Sequence, residues 1–531
     1  MNEAQKDKEQ GLSAWQLAMM ALGTVVGGSF FLGSAVAIRA AGPSVLIAYV
    51  IGGLLVYWIL SALSELTVAK PAAGSFRTYA EEAFGAGAGF TVGWVYWTGL
   101  VLAMSSEAIA ASTLLRGWLP NVPIPLIGAV IIIAVTLLNL LGAKRLGKLE
   151  SGLAAIKLVA IAAFILLAVL LVAGLFLGGT GRTTLTASPL TEGLRELSRG
   201  TWFIGGLRGI AGSMLMVMFT YAGFEVLGLA AADAKNPQRT IPQAINRTIL
   251  LLVGLYIGAM ISLFLLVPTS RVSEAVSPFV TALSLHGFGW AGTVMNLVLV
   301  TAILSTMLAS VFGLGRMLRS LGDEGHAPEW MHDKMAVPRR GILVSGAAML
   351  AALGLGVLLP QNVYLFLVSS GGFTLLFAYT LILLSHYRLR RRNGHPLAGK
   401  YGLRGFPYTS WIASVSLVAI MLSMPLIPGQ GSGLAAGILL VLLFGGGYAL
   451  GQARRTKGTA DGHPVLTPSS AAGREPATLA WASRAGYSIE MAEELTKEQA
   501  REQTKEPAEE RLGASADKRR IDERKPDTGK R

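Results

Sequence analysis

The chain has 531 residues, 52% hydrophobic and only 14% charged, with a mean hydropathy of +0.54. A soluble domain carries about 25% charged residues, so this composition excludes a water-soluble globular protein and makes lipid the solvent. The lack of cysteine excludes disulfide frameworks, zinc–thiolate sites and cysteine nucleophiles, and the net charge of +14 lies mostly between apolar runs and in the last 78 residues, as membrane-flanking cations do and a nucleic-acid-binding stripe does not.

A bilayer core of about 30 Å needs about 20 apolar residues as helix. Twelve such runs follow one another, over 15–38, 44–68, 89–115, 122–142, 152–178, 207–232, 244–267, 289–318, 341–359, 362–387, 408–427 and 433–452. Pro, Gly or charge clusters punctuate each gap. Residues 1–14 form a short leading segment with no removable signal peptide, so the first run serves as its own insertion signal. Placing both termini in the cytoplasm puts Lys70, Arg77, Lys144, Arg145, Lys148, Lys235, Arg239, Arg247 and the arginines at 388–392 in inner loops. The outer loops then hold few cations, Arg39, Arg116, Arg182, Arg195, Arg199 and Arg271 among them, as the positive-inside rule requires. From Arg454 to Arg531 the chain is rich in Lys, Arg, Glu, Pro and Ser, too polar to bury a core; it reads as a largely disordered cytoplasmic tail.

The first run carries "GTVVGGSF" (Gly23 to Phe30) and the sixth "FTYAGFE" (Phe219 to Glu225). Backbone at membrane depth leaves the helix only where protein or a water-filled cavity surrounds it. Two such interruptions, five runs apart, point to the binding site of a secondary transporter. An interrupted helix exposes N–H groups at one half and C=O groups at the other. The first suit a carboxylate and the second an ammonium, and an amino acid carries both. Gly27, Gly28 and Ser29 let a carboxylate approach the backbone without a Cβ in the way; Thr24 and Ser29 offer hydroxyls; Tyr221 and Gly223 lie in the second break. The competing reading of the first break is small-residue helix packing, Gly23 to Gly27. A nucleotide-binding loop would need a strand and a βαβ unit, for which there is no pattern.

Charged residues at membrane depth are functional candidates. Lys157, in "GLAAIKLVAIAAF", can shed and regain a proton there, or snorkel to the inner interface. Glu225 follows Gly223 and either takes part in proton linkage and gating or caps the unwound segment. Glu107, in "MSSEAIAAS", faces the pocket or a polar partner such as Ser369 or Ser370. Glu65 pairs with a basic loop residue. His286 and His326 lack metal-ligand spacing and read as ordinary; no metal or cofactor is called for. No Ser-His-Asp constellation has a setting here, so enzymatic catalysis is not supported.

Five segments carry a resemblance: "GTVVGGSFFLG", "AGSFRTYAEEAFG" (73–85), "GFTVGWVYW" (89–97), "FTYAGFEVLGLAAADAKNPQRTIPQAI" (219–245) and "GRMLRSLGDEGHAPEW" (315–330). Over residues 11–451 the chain resembles amino acid permeases of the amino acid–polyamine–organocation superfamily, bacterial amino acid transporter branch. The resemblance implies an all-α membrane protein of twelve helices, a LeuT-like five-plus-five inverted repeat (repeat one about 15–178, repeat two about 207–387) with helices one and six broken, and two further helices over 408–452. It implies proton-coupled amino acid uptake across the plasma membrane. It places Val25, Gly27, Gly28 and Ser29 on the substrate's backbone groups, and Phe219 and Ala222 where the family uses sixth-span carbonyls and an aromatic gate. It makes Lys157 the coupling residue, bridging spans one, five and eight. The chain departs from the family in reading Gly27-Gly28-Ser29 for a Gly-Ser-Gly-like trio, and in lacking Asn-Ser-Gly around "STMLASVFG" (305–313). The expected substrate is a neutral amino acid such as threonine or serine. An exchanger, a cationic amino acid permease if Glu107 faces the pocket, and a non-transporting sensor are the alternatives. The oligomeric state stays open, a monomer included.

Overall fold

A computed structural model describes residues 13–72, 74–177, 203, 205–225, 227–228, 234–273, 276–331, 337–358, 363–397 and 402–460. The chain divides into one unit, Met1–Leu450, and a second, Gly451–Arg531. Residues 1–12 of the expected N-terminal segment, the end of the sixth run and all of the expected tail beyond residue 460 lie outside the described residues.

The regular elements among the described residues are helices. A capping box opens α1 (Ala14–Val25): Ser13 Oγ accepts from Gln16 N, and Gln16 Oε1 accepts from Ser13 N at 2.9 Å. Then come α2 (Gly28–Phe31) and α3 (Gly33–Ala41), joined by Leu32, which keeps right-handed helical angles. The two therefore run on as one rod from Gly28 to Ala41. Gly42, at φ +60°, ends it, and α4 (Val45–Ala69) returns. A short α5 (Phe76–Phe84) precedes α6 (Ala86–Leu115), α7 (Ile124–Asn139), α8 (Ala143–Leu177) and α9 (Gly206–Thr220). Next are α10 (Pro237–Leu266), α11 (Pro278–Leu285), α12 (Gly289–Asp323) and α13 (Arg339–Leu358). The chain closes with α14 (Val363–Asn393), α15 (Tyr408–Ser423) and α16 (Gly431–Ala460).

Among the described residues eight helices are long and apolar enough to cross a membrane, one of them counted through the bend from Gly28 to Ala69; α1, α7 and α9 are shorter apolar helices. Burial sorts them. The most apolar window of α14 is 83% buried and that of α6 72%, against 22% for α8 and 11% for α16. So α6 and α14 form the centre, and α8 and α16 present most of their surface to lipid. Small residues let the two central helices close up: a Cβ on Gly371 would stand 3.1 Å from Gly99 O. The interrupted rod α1–α2–α3 is enclosed by α6, α8, α9, α10 and α12.

Two helices lie where the sequence reading has only loops. In α5 the buried residues Phe76, Tyr79, Ala80 and Ala83 fall at i, i+3, i+4 and i+7, one helical face. α11, begun by Pro278 at its first position, packs Phe279 among Phe30, Phe31 and Phe164.

Candidate functional site

Both interruptions expected from the glycines are present. In the first, Val26 (φ −75°, ψ 95°) and Gly27 (φ −128°, ψ −164°) are extended, so α1 stops at Val25 and the helix restarts at Gly28. The carbonyls at the end of α1 and the N–H groups at the start of α2 thereby lose their helical partners. Side chains from three other helices take them up. Lys157, fully buried on α8, donates to Gly23 O and to Val26 O (2.8 Å), with Thr306 Oγ1 of α12 at 3.5 Å. Thr306 Oγ1 also lies 3.2 Å from Val26 O. At the other pole, Gly28 N donates to Glu107 Oε2 at 2.9 Å and Ser29 N to Glu107 Oε1 at 3.0 Å. Close approach explains the glycines: a Cβ at position 27 would meet Thr306 Oγ1 at 3.0 Å, and one at 28 would meet Glu107 Oε2 at 2.6 Å.

The second interruption follows α9. Tyr221 to Glu225 form turns, and Gly223 sits at φ +106°, left-handed backbone that glycine alone adopts without strain. A Cβ there would also stand 2.9 Å from Thr24 O, because the two breaks touch. Thr24 Oγ1 lies 3.0 Å from Gly223 O and 2.8 Å from Ala21 O, and its one proton serves either. Glu225 is buried and accepts from Tyr96 Oη and Tyr379 Oη at 2.9 Å each and from Gly223 N at 3.0 Å. Tyr256 Oη donates to Thr220 O at 2.9 Å, and Tyr221 Oη to Tyr49 O at 3.0 Å. Beside both breaks Phe30 stacks on Tyr256, centroids 3.9 Å apart, with Tyr49 edge-on to both rings and Tyr221 tilted against Tyr256.

The structure thus brings Thr24, Val25, Gly27, Gly28, Ser29, Lys157, Glu107, Tyr221, Gly223 and Glu225 around one pair of breaks. Of the two alternatives for Glu107, the pocket or a polar partner such as Ser369 or Ser370, the structure turns it to the first break, where the N–H groups of Gly28 and Ser29 hold it. The hydroxyl of Thr24 joins the breaks to each other. Phe219 is buried, and its carbonyl accepts from Ala222 N inside the turn at 3.1 Å. Sequence reasoning missed Tyr96, Tyr379, Tyr256 and Thr306. The first lies inside the quoted "GFTVGWVYW" and the last inside "STMLASVFG", but nothing in either string names a partner more than a hundred residues away.

Two further polar clusters join the ends of helices. Arg77 on α5, fully buried, bonds Glu81 (3.1 Å), Glu324 and Ser320 (3.3 Å), with His326 Nδ1 at 3.5 Å. Burial and the neighbouring Glu324 hold the Glu81 carboxyl above its ordinary 4.5. Against the pull of burial, hydrogen bonds from Arg77 and Glu81 hold Glu324 below that value. Burial and Arg77 together depress the His326 imidazole. Glu65, at the end of α4, pairs with basic residues, but on α14 rather than in the expected loop, His386 Nε2 (2.9 Å) and Arg390 (3.0 Å), and also accepts from Leu397 N (2.9 Å) and Leu403 N (2.8 Å).

A family model described as amino acid permease matches residues 16–458. The chain is 32% identical to the uncharacterized amino acid permease YtnA of Bacillus subtilis over 458 residues, 84% of this chain and 97% of that one. It is 31% identical to the aromatic amino acid transport protein AroP of Escherichia coli over 454 residues, again 84% and 97%. It is 28% identical to the gamma-aminobutyric acid permease of B. subtilis, over 88% of this chain and 98% of that one. Among solved structures it is similar in fold to MhsT in complex with L-phenylalanine (TM-score 0.55, 16% identity, 78% of this chain and 99% of that one). The manganese transporter of Eremococcus coleocola is a second neighbour (TM-score 0.52, 14% identity, 82% and 92%).

Proposed function

The chain belongs to the amino acid permease family, and from that premise we propose that it takes up a neutral amino acid together with protons across the plasma membrane, with both termini cytoplasmic. In this reading twelve spans form two inverted five-helix repeats and two C-terminal helices. The observation that carries it is the contact between two helix breaks whose peptide groups lie against buried ionisable side chains. The N–H groups of Gly28 and Ser29 take the substrate's carboxylate, and carbonyls of Val25, Phe219 and Ala222 take its ammonium. Lys157 carries the coupled proton. Protonated, it binds the end of α1 to α8 and α12; deprotonated, it releases at least part of that tie, so protonation and the setting of the broken rod are linked. Glu225 keeps the second break in shape through Tyr96, Tyr379 and Gly223 N.

A neutral substrate is favoured because Glu225, the carboxylate at the second break, is held by Tyr96, Tyr379 and Gly223 N, and a cationic side chain would have to break that set to pair with it. The test is uptake of labelled threonine, serine, phenylalanine, lysine and γ-aminobutyrate into proteoliposomes under an imposed inward proton gradient. At least one neutral member accumulates above its equilibrium level, and the gradient drives it. Uptake indifferent to the gradient refutes proton coupling. Preference for lysine refutes the neutral class.

A further inference from the structure

The two N–H groups that suit a substrate carboxylate already bind a carboxylate. Glu107 reaches them from α6, one oxygen to each, and is 3% exposed. At the opposite pole of the same break the ammonium of Lys157 lies on Gly23 O and Val26 O. A carboxylate and an ammonium from the chain thus sit on the two poles of one helix interruption. We propose that Glu107 is an internal competitor for the carboxylate seat, which an amino acid must displace in order to bind, and which takes up a proton as it leaves.

Each N–H points in one direction, and Glu107 Oε2 already stands where a Cβ on Gly28 would collide with it. Two carboxylates do not share two such donors, because like charges in contact inside a low-dielectric site do not both stay ionised. The displaced group has little else to turn to. The titratable groups acting on it from the surrounding helices are Lys157 on α8 and Tyr256 on α10. The Lys157 ammonium is held by the α1 carbonyls, and the Tyr256 hydroxyl donates to Thr220 O. A buried carboxylate that leaves the Gly28 and Ser29 donors, with the neighbouring Lys157 ammonium engaged by the α1 carbonyls, is neutralised by a proton from the solution. Binding of one zwitterion then brings in one proton, a linkage separate from the one ascribed to Lys157. This inference rests on the breaks being an amino acid site, and deepens that reading.

The test uses purified full-length protein and whichever neutral amino acid of the panel raises its melting midpoint. An infrared difference spectrum on adding that amino acid gains a protonated carboxylic acid band and loses a carboxylate band. Both changes are absent in Glu107→Gln and shifted in Glu107→Asp. In parallel, the apparent affinity of the wild type weakens about tenfold per unit rise in pH wherever Glu107 is ionised in the free protein, and that of Glu107→Gln weakens less than twofold. If the wild type binds the amino acid with no gain of a protonated carboxyl, the inference falls while the amino acid site stands, whether or not either variant folds. Unchanged spectra or slopes in a folded Glu107→Gln overturn it equally. If no amino acid of the panel binds the wild type, the site itself falls and the inference with it.

Discussion

Replacing Gly28 with alanine tests the site with one methyl group. Its Cβ would stand 2.6 Å from Glu107 Oε2 and 2.9 Å from Ile303 Cγ1 and Cδ1, where ordinary contact begins at 3.4 Å. The oxygen must retreat by about 0.8 Å (3.4 less 2.6), and because N and Cβ branch from the same Cα this stretches its 2.9 Å bond to Gly28 N to about 3.4–3.5 Å, the limit of hydrogen-bond range. Most of one bond to a charged acceptor is lost, up to about 1.5–3 kcal/mol. Pressing the Ile303 side chain back adds about 1–3 kcal/mol of overpacking. The methyl group also occupies the approach of any substrate carboxylate, so affinity falls at least about 100-fold, a loss of about 2.8 kcal/mol. Gly254 on α10 has nothing within 4 Å of its Cβ position, and Gly254→Ala gains about 0.5–1 kcal/mol of helix propensity. The assays are the melting midpoint in detergent, followed by tryptophan fluorescence, and its titration with the bound amino acid. A Gly28→Ala protein as stable as Gly254→Ala, with wild-type affinity, would refute the reasoning.

Other substitutions separate structural from coupling roles. Lys157→Met takes the ammonium from Gly23 O, at about 1–3 kcal/mol, and leaves Val26 O with Thr306 Oγ1 at 3.2 Å. It abolishes uptake driven by a proton gradient in proteoliposomes; gradient-driven uptake at the wild-type rate removes Lys157 from coupling. Tyr96→Phe and Tyr379→Phe each remove a donor from Glu225 and cost about 1.5–3 kcal/mol. Because both act on one carboxylate, the double variant departs from additivity in a thermal-melt cycle; strict additivity shows that they do not act through Glu225. At the Arg77 cluster the two acids have opposite pH signatures. Glu81, raised in the fold, contributes stability below its ordinary 4.5 that is lost as pH climbs through the higher folded value. Glu324, lowered, contributes above 4.5 and loses this as pH drops through the lower folded value. Stability–pH curves therefore flatten on the higher-pH side in Glu81→Gln and on the acid side in Glu324→Gln; the reverse pattern refutes the assignment.

The helices were readable because lipid imposes a length and a composition on each crossing, and every one of the twelve apolar runs contains a helix. The breaks were readable because glycine clusters have few uses at that depth. Gly223 shows two such uses at once, a positive φ and a backbone neighbour, Thr24, that leaves no room for a Cβ. Partner choice was not readable. Glu107 has serines on several nearby helix faces, and hydropathy does not give the rotation that turns it to Gly28 and Ser29. Tyr96 and Tyr379 meet Glu225 from 129 and 154 residues away, a separation over which no local pattern operates. α5 is the intermediate case. Its apolar face has helical spacing, but a segment of nine residues ranks as a loop when only membrane-length runs are sought.

The knot at Glu65 bears on how the protein moves. One carboxylate ties the tip of α4 to two side chains of α14 and to two peptide groups of the stretch that leads on towards α15. Pulling a hydrogen-bonded buried charge from its partners costs about 3–5 kcal/mol, many times thermal energy. At that end, then, these three pieces travel as one strut throughout a transport cycle, and the hinges that open one face and shut the other have to be sought elsewhere.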